Sequence, residues 1–282
     1  MKIQSNFVLR TLTGAVFVAA ILASMLSFWS FALLMSIVLL LTVYEYQELL
    51  AKKGIEISQR AIGALVFAPM TMIFFFYGES FATSLSTTFR PLCVALFIFS
   101  FLLLFVEGLY SKKENPIQNL IYAIFAFFYM TLPFVCLIYL HRVNPLFALA
   151  LFSFVWINDT FAYLVGITMG KHKLFERISP KKSWEGFFGG LIFAVLAGIA
   201  FHHFTTDIFE NYSLIKWIGL ALMVVISATF GDLFESMFKR SLDVKDSGTF
   251  LPGHGGFLDR LDSILFAAPA MILYLLLIKV IP

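Results

Sequence analysis

The sequence predicts an all-α, polytopic membrane protein with about nine transmembrane helices and a polar active-site cavity facing the cytoplasm. Three observations lead there. Of 282 residues, 60% are hydrophobic and 13% charged, against roughly 25% charged in a soluble globular chain. The mean hydropathy is +0.91. The apolar residues also fall in runs of about 20, the length a helix needs to cross hydrocarbon. Backbone groups in hydrocarbon must be satisfied within their own segment, so such runs are helices rather than open sheet.

In order, the runs cover roughly 12–28, 30–48, 60–78, 90–109, 118–140, 145–166, 186–204, 213–231 and 263–280. The first follows Lys2 and Arg10 and is read as a retained helix rather than a cleaved leader, because further spans follow it. Glu45 and Glu48 close the second, ahead of a loop, AKKGIEISQR, read as solvated and facing lipid headgroups. Pro69 is expected to kink the third span or fit it against a neighbour, and the fifth, rich in Phe and Tyr, contains Pro133. Glu107 ends the fourth and either snorkels or reaches a polar cavity. Cys93 and Cys136 are too few for a disulfide framework and read as packing residues.

The sixth run, LFSFVWINDTFAYLVG, is interrupted by Asn158 and Asp159, with Thr160 and Tyr163 beside them. A carboxylate inside a span costs about 2.5 to 3.5 kcal/mol on insertion scales. Asp159 must therefore face protein, water or an ion: either a helix–helix hydrogen bond or, the reading adopted, a place in the substrate cavity. The following loop packs Ser179, Pro180, Lys181, Lys182, Ser183, Trp184 and Glu185 against the seventh run, a good setting for polyanionic phosphate. Gly186, Gly189, Gly190 and Gly198 in that run let neighbouring backbones approach closely. His202 and His203 read as an interfacial pair.

Basic residues decide the orientation. One side collects Lys2, Arg10, Lys52, Lys53, Arg60, Lys112, Lys113 and the later clusters; the other has only Arg90, Arg142, Lys216 and Lys279. The positive-inside rule places the amino terminus and the polar loops in the cytoplasm and the carboxyl terminus outside, in a cytoplasmic (inner) membrane. The net charge of +3 follows from this topology and from anionic lipid, and no nucleic acid is expected as a partner. The chain reads as one integral membrane catalytic domain over 1–282, with about 1–140 a scaffold and about 141–282 the part that carries chemistry.

The most polar and most patterned stretch runs from Gly231 to Asp262, GDLFESMFKRSLDVKDSGTFLPGHGGFLDRLD. If the eighth helix continues past the interface, Asp232, Glu235, Ser236 and Lys239 share one face; Asp259 and Asp262 share another at the start of the ninth. Hard oxygen ligands in this number suit Mg²⁺, one ion or two, held by Asp232 and Asp259 with Asp246. Lys239, Arg240, Lys245 and Arg260 are placed to hold phosphate oxygens, arginine as a bidentate fork. Gly248, Gly255 and Gly256 permit tight turns whose N–H groups can approach phosphate. His254 either touches substrate or shapes the turn. The GxxxxGK[ST] spacing of a Walker loop is missing.

The run Ser236 to Asp262 resembles the carboxyl-terminal signature of the phosphatidate cytidylyltransferases, or CDP-diacylglycerol synthases. It carries Ser236, Lys239-Arg240, Lys245-Asp246, Gly248, Pro252, His254-Gly255-Gly256, Asp259-Arg260 and Asp262. Asp159-Thr160-Phe161-Ala162-Tyr163 and SPKKSWEG are similar to further family features. The resemblance implies transfer of CMP from CTP to phosphatidic acid with release of pyrophosphate. It also implies a requirement for Mg²⁺, with K⁺ as a candidate companion ion, and a homodimer. Ile167 stands where the family tends to carry a basic residue, which leaves one headgroup or nucleotide contact unassigned. Two alternatives keep their place: a CTP-dependent kinase of a membrane alcohol, and a transporter. Against the latter, polar residues gather at one face rather than in paired interrupted helices at the midplane.

Overall fold

The computed structural model describes residues 2–77, 83–110, 115–206, 208, 212–248 and 255–281. It packs as two units, Met1–Arg142 with Asp246–Asp259, and Val143–Lys245 with Arg260–Pro282. Among the described residues, eight helices are long and apolar enough to cross a membrane; the first helix offers a shorter apolar stretch, Thr11–Ser24.

The first unit contains α1 (Lys2–Ser24), α2 (Phe28–Ala51), α3 (Gln59–Tyr77), α4 (Thr83–Tyr110), α5 (Pro116–Ala126) and α6 (Leu132–Val143). Its centre is α2, whose Phe31, Met35, Leu39, Tyr46 and Leu49 are buried. Only 17% of the apolar window of α4 is buried, and Phe99, Leu102, Phe105 and Val106 point outward. A surface of that kind is stable against lipid and not against water. Between α5 and α6 the span does not break at Pro133; it widens into a π-turn, Phe127–Thr131. Proline removes one N–H and crowds the carbonyl four residues earlier, here that of Tyr129, and the wider turn makes room for it. Thr131 then donates its hydroxyl to the Leu65 carbonyl of α3 at 3.0 Å.

Three residues past the end of α2, Gly54 takes the left-handed region at φ 71°, and the Ile55 N–H returns to Leu50 O at 3.1 Å. This satisfies carbonyls that the helix end leaves open. Arg60 reaches Glu107 at 3.5 Å, so the acid at the end of α4 has a protein partner.

The second unit contains α7 (Pro145–Met169), a hairpin of β1 (Lys173–Phe175) and β2 (Ser179–Ser183), α8 (Trp184–Thr205), α9 (Leu214–Ser241) and nearly all of α10 (Leu258–Leu277). Asn144 caps α7 by accepting the Leu146 N–H at 2.9 Å, with Pro145 at the first helical position. The glycines of α8 form its packing face. Gly186 lies against the Ala162 carbonyl and Gly166, Gly189 against Val165, and Gly190 against Asn158, all on α7; Gly198 meets Trp217 and Ala221 of α9. A Cβ at Gly190 would collide with the Asn158 side chain. Overpacking of this kind costs about 1–3 kcal/mol, on the order of 5 °C of melting temperature here. Gly190→Leu is therefore expected to lower the thermal midpoint of the detergent-purified protein. Gly63→Leu, where nothing lies within 4 Å, should leave it in place.

Candidate active site

Helix α9 does not stop at Gly231, where the apolar run ends; it runs on to Ser241, which puts Asp232, Glu235, Ser236 and Lys239 on successive turns of one face. Ser236 Oγ donates to Asp232 Oδ1 at 3.4 Å, and Lys239 pairs with the fully buried Glu235. The helix closes on Asp243 at φ 56°, with Val244 N–H on Lys239 O and Asp243 N–H on Arg240 O. Aspartate tolerates this left-handed position better than most residues. The Arg240 guanidinium donates to Val244 O at 3.3 Å. Lys245 and Asp246 follow, both exposed.

The second wall is the hairpin, which was not foreseen from the sequence. Its strands are too short to show a period, and its geometry is set from outside by the start of α8. Ser183 caps α8 through the Gly186 N–H at 3.1 Å, Trp184 N–H returns to His172 O at 2.9 Å, and Glu185 accepts N–H groups of Lys171 and His172. Glu185 also meets the His172 ring at 2.6 Å. A Ser three residues before a glycine and two before an acid was the available signal for this start. Pinned this way, the hairpin carries Lys173, Lys181 and Lys182 to one side.

Helices α7, α8 and α9 and the hairpin enclose a cavity of about 550 Å³. Asp159, Tyr163, Lys181, Lys182 and Asp232 line it, with Asn158, Ser183 and Thr229. Lys182 pairs with Asp232. Asn158, buried on the Gly190 side, donates through Nδ2 to Asp159 Oδ1 at 3.3 Å. Asp159, Asp232 and Asp262 lie within electrostatic reach of one another, with Glu235 acting on Asp262 and Arg260 on Asp159. Ile167 also lines the cavity. Ser179, half-buried at the start of β2, is not part of the lining.

The remaining site residues belong to the first unit. The Ser247 N–H lies 3.2 and 3.0 Å from the two carboxylate oxygens of Asp259, and the Gly256 N–H donates to Asp259 at 3.0 Å. Two backbone donors of the glycine-rich turn expected to face phosphate are thus directed at a carboxylate. Gly255 takes φ 82°, which glycine adopts without strain, and Gly256 is buried. His254 lies outside the described residues. Glu45, read from sequence as lying near the end of the second span, is fully buried; in the loop that follows, read as solvated, residues 51–54 are exposed but Ile55 and Ile57 are buried.

Among the described residues, no three His, Cys, Asp or Glu stand together as a ready-made ligand set for a metal ion. The donor chemistry nevertheless fits a hard divalent ion. Carboxylate oxygens predominate, and Asp159, Asp232 and Asp262 repel one another where a cation would relieve them.

Fold and site define an integral membrane protein with a cation-walled, carboxylate-floored cavity suited to a polyanion. The chain belongs to the Cytidylyltransferase family, which it matches over residues 8–278. It is 38% identical to a phosphatidate cytidylyltransferase of Staphylococcus saprophyticus over 188 residues, covering 66% of this chain and 69% of that one. It is 48% identical to the enzyme of that name from Staphylococcus epidermidis over 122 residues, 43% of this chain and 45% of the relative. The match to the Staphylococcus aureus enzyme, 47% identical, has the same extent.

Proposed function

We infer that the chain is a nucleotidyltransferase of phospholipid biosynthesis that transfers CMP from CTP to phosphatidic acid. A phosphate oxygen of the lipid attacks the α-phosphorus of CTP, the bond from that phosphorus to the bridging oxygen of the β-phosphate breaks, and pyrophosphate leaves with the bonding electrons. The lipid phosphate is ionised near neutral pH and is its own nucleophile, so no side chain need remove a proton. Family membership supports the reaction; the observation that carries its location is the cavity where Lys181, Lys182 and Asp232 meet beside Asp159.

Within it, Lys181 and Lys182 hold phosphate oxygens as point charges, and Tyr163 and Asp159 bound the space for substrate. Lys239, Arg240, Lys245 and Arg260 form the surrounding basic set, and Ser179, Gly255, Gly256 and His254 are assigned to substrate contact as the sequence suggested. Asp232 in the second unit, and Asp259 and Asp246 in the first, are the carboxylates proposed to hold divalent cations. Bound there, Mg²⁺, alone, paired, or accompanied by K⁺, supplies charge neutralisation of the triphosphate and of the phosphorus undergoing transfer. The same reading takes the first helix as a ninth crossing, the amino terminus and the site as cytoplasmic, the carboxyl terminus as external, the membrane as the inner one, and the assembly as a homodimer.

A kinase of a membrane alcohol would grip CTP similarly and transfer the terminal phosphoryl group instead. CTP labelled separately at the α- and γ-phosphates separates the two. The α-label is expected in lipid and the γ-label in pyrophosphate; γ-label in lipid would overturn the assignment.

A further inference from the structure

Glu45 is a carboxylate with 0% exposure inside α2, and it is the one ionisable acid on a buried side that is otherwise apolar except for Ser36, Thr42 and the tyrosine ring of Tyr46. Burying an ion costs several kcal/mol unless its oxygens are fully hydrogen-bonded. Its partners lie 202 and 213 residues away in the chain: the Ser247 hydroxyl donates to Oε1 at 3.0 Å, and the Leu258 N–H donates to Oε2 at 2.9 Å. The space it fills exists because two residues lack side chains. A Cβ at Gly248 or Gly256 would overlap the Glu45 carboxylate. The adjoining residue is fixed as well, with the Phe257 ring edge-on to Phe17 of α1 at 6.4 Å.

Ser247 links this buried acid to Asp259. Its hydroxyl goes to Glu45, its N–H to the Asp259 carboxylate. Gly256 does the same by another route, packing on Glu45 while its N–H holds Asp259. Two backbone donors to Asp259 are therefore seated on Glu45. We propose that Glu45 is a positioning residue: it fixes the stem of the glycine-rich turn so that Asp259 presents its carboxylate in one orientation. The effect on divalent-cation binding rests on the metal-holding role given to Asp259 above.

Glu45→Gln keeps the size of the side chain and sets an amide N–H₂ against one of the two donors. Loss of a supporting hydrogen bond of this type weakens metal affinity by about 10–100-fold. The test is Mn²⁺ binding to the detergent-purified full chain by electron paramagnetic resonance, beside Mg²⁺ dependence of turnover. Glu45→Gln is expected to raise both half-saturation values by on the order of tenfold, with the larger part of the activity loss recovered at high Mg²⁺. Ser247→Ala, which cuts one link and leaves the carboxylate in place, should give a smaller shift in the same direction and serves if Glu45→Gln does not fold. In the double variant the shifts should be less than additive, because the residues act through one contact. Folded variants with unchanged Mn²⁺ affinity would overturn the role of Glu45. If the Asp259→Asn variant also kept wild-type Mn²⁺ affinity and turnover, the metal assignment itself would fail instead.

Discussion

Asp232→Asn is expected to reduce CMP transfer by on the order of 10³-fold or more at saturating substrates, the scale on which removing charge stabilisation from phosphoryl-type chemistry acts. The substitution is close to isosteric. The carboxamide oxygen it introduces would still accept from the Ser236 hydroxyl, which lies 3.4 Å from Asp232 Oδ1. What disappears is a negative charge at the cavity wall, with the Lys182 ion pair it makes. If that pair were only architectural, Asp232→Asn would lower the thermal midpoint and leave the Mg²⁺ half-saturation of the residual turnover in place. If Asp232 holds the divalent ion, that half-saturation rises while the midpoint moves little. Steady-state rates across a Mg²⁺ series and unfolding curves on the same samples decide between them.

Eight of the nine expected spans were legible, because the length of an apolar run is a one-dimensional property that needs no partner. The extension of α9 was legible for a similar reason: Asp232, Glu235, Ser236 and Lys239 repeat at helical spacing well past the hydrocarbon. Asp159 and Asn158 stood out because carboxylate and carboxamide are expensive in a span. Glu45 is the instructive failure. It stands near the end of an apolar run, just ahead of a loop read as solvated, and the residues that bury it are more than 200 positions away. One local signal was present: Tyr46, Leu49 and Leu50 continue the buried face beyond it, so the helix is not yet leaving the core at Glu45. The glycines of the carboxyl-terminal turn had a visible pattern and a second cause that the sequence did not show. Gly256 makes room for a buried carboxylate, and its N–H serves Asp259. The hairpin was hidden for a different reason, since its pairing register, Lys173 with Ser183 and Phe175 with Ser179, depends on Glu185 and Ser183 at the start of α8.

Removing divalent cations is expected to abolish turnover, and the charges in the cavity say how. Asp159 and Asp232 line the same cavity, with Asp262 within electrostatic reach of both, and carboxylates gathered round one space oppose the entry of further negative charge. A triphosphate brought to that place has Lys181 and Lys182 in its favour, but Lys182 is already engaged by Asp232. In EDTA, therefore, wild-type protein should bind CTP poorly as well as fail to react, and Mg²⁺ should restore both. Asp232→Asn separates these effects with opposite signs. It removes a repelling carboxylate and frees Lys182, so metal-free CTP binding should become tighter than in wild type, while turnover with Mg²⁺ stays near background. Calorimetric titration of CTP with and without chelator measures the first, and the labelled-product assay the second. Weaker metal-free binding in Asp232→Asn would mean that Asp232 shapes the cavity instead of opposing the nucleotide's charge, and a wild-type rate undiminished in chelator would remove the divalent ion from the reaction.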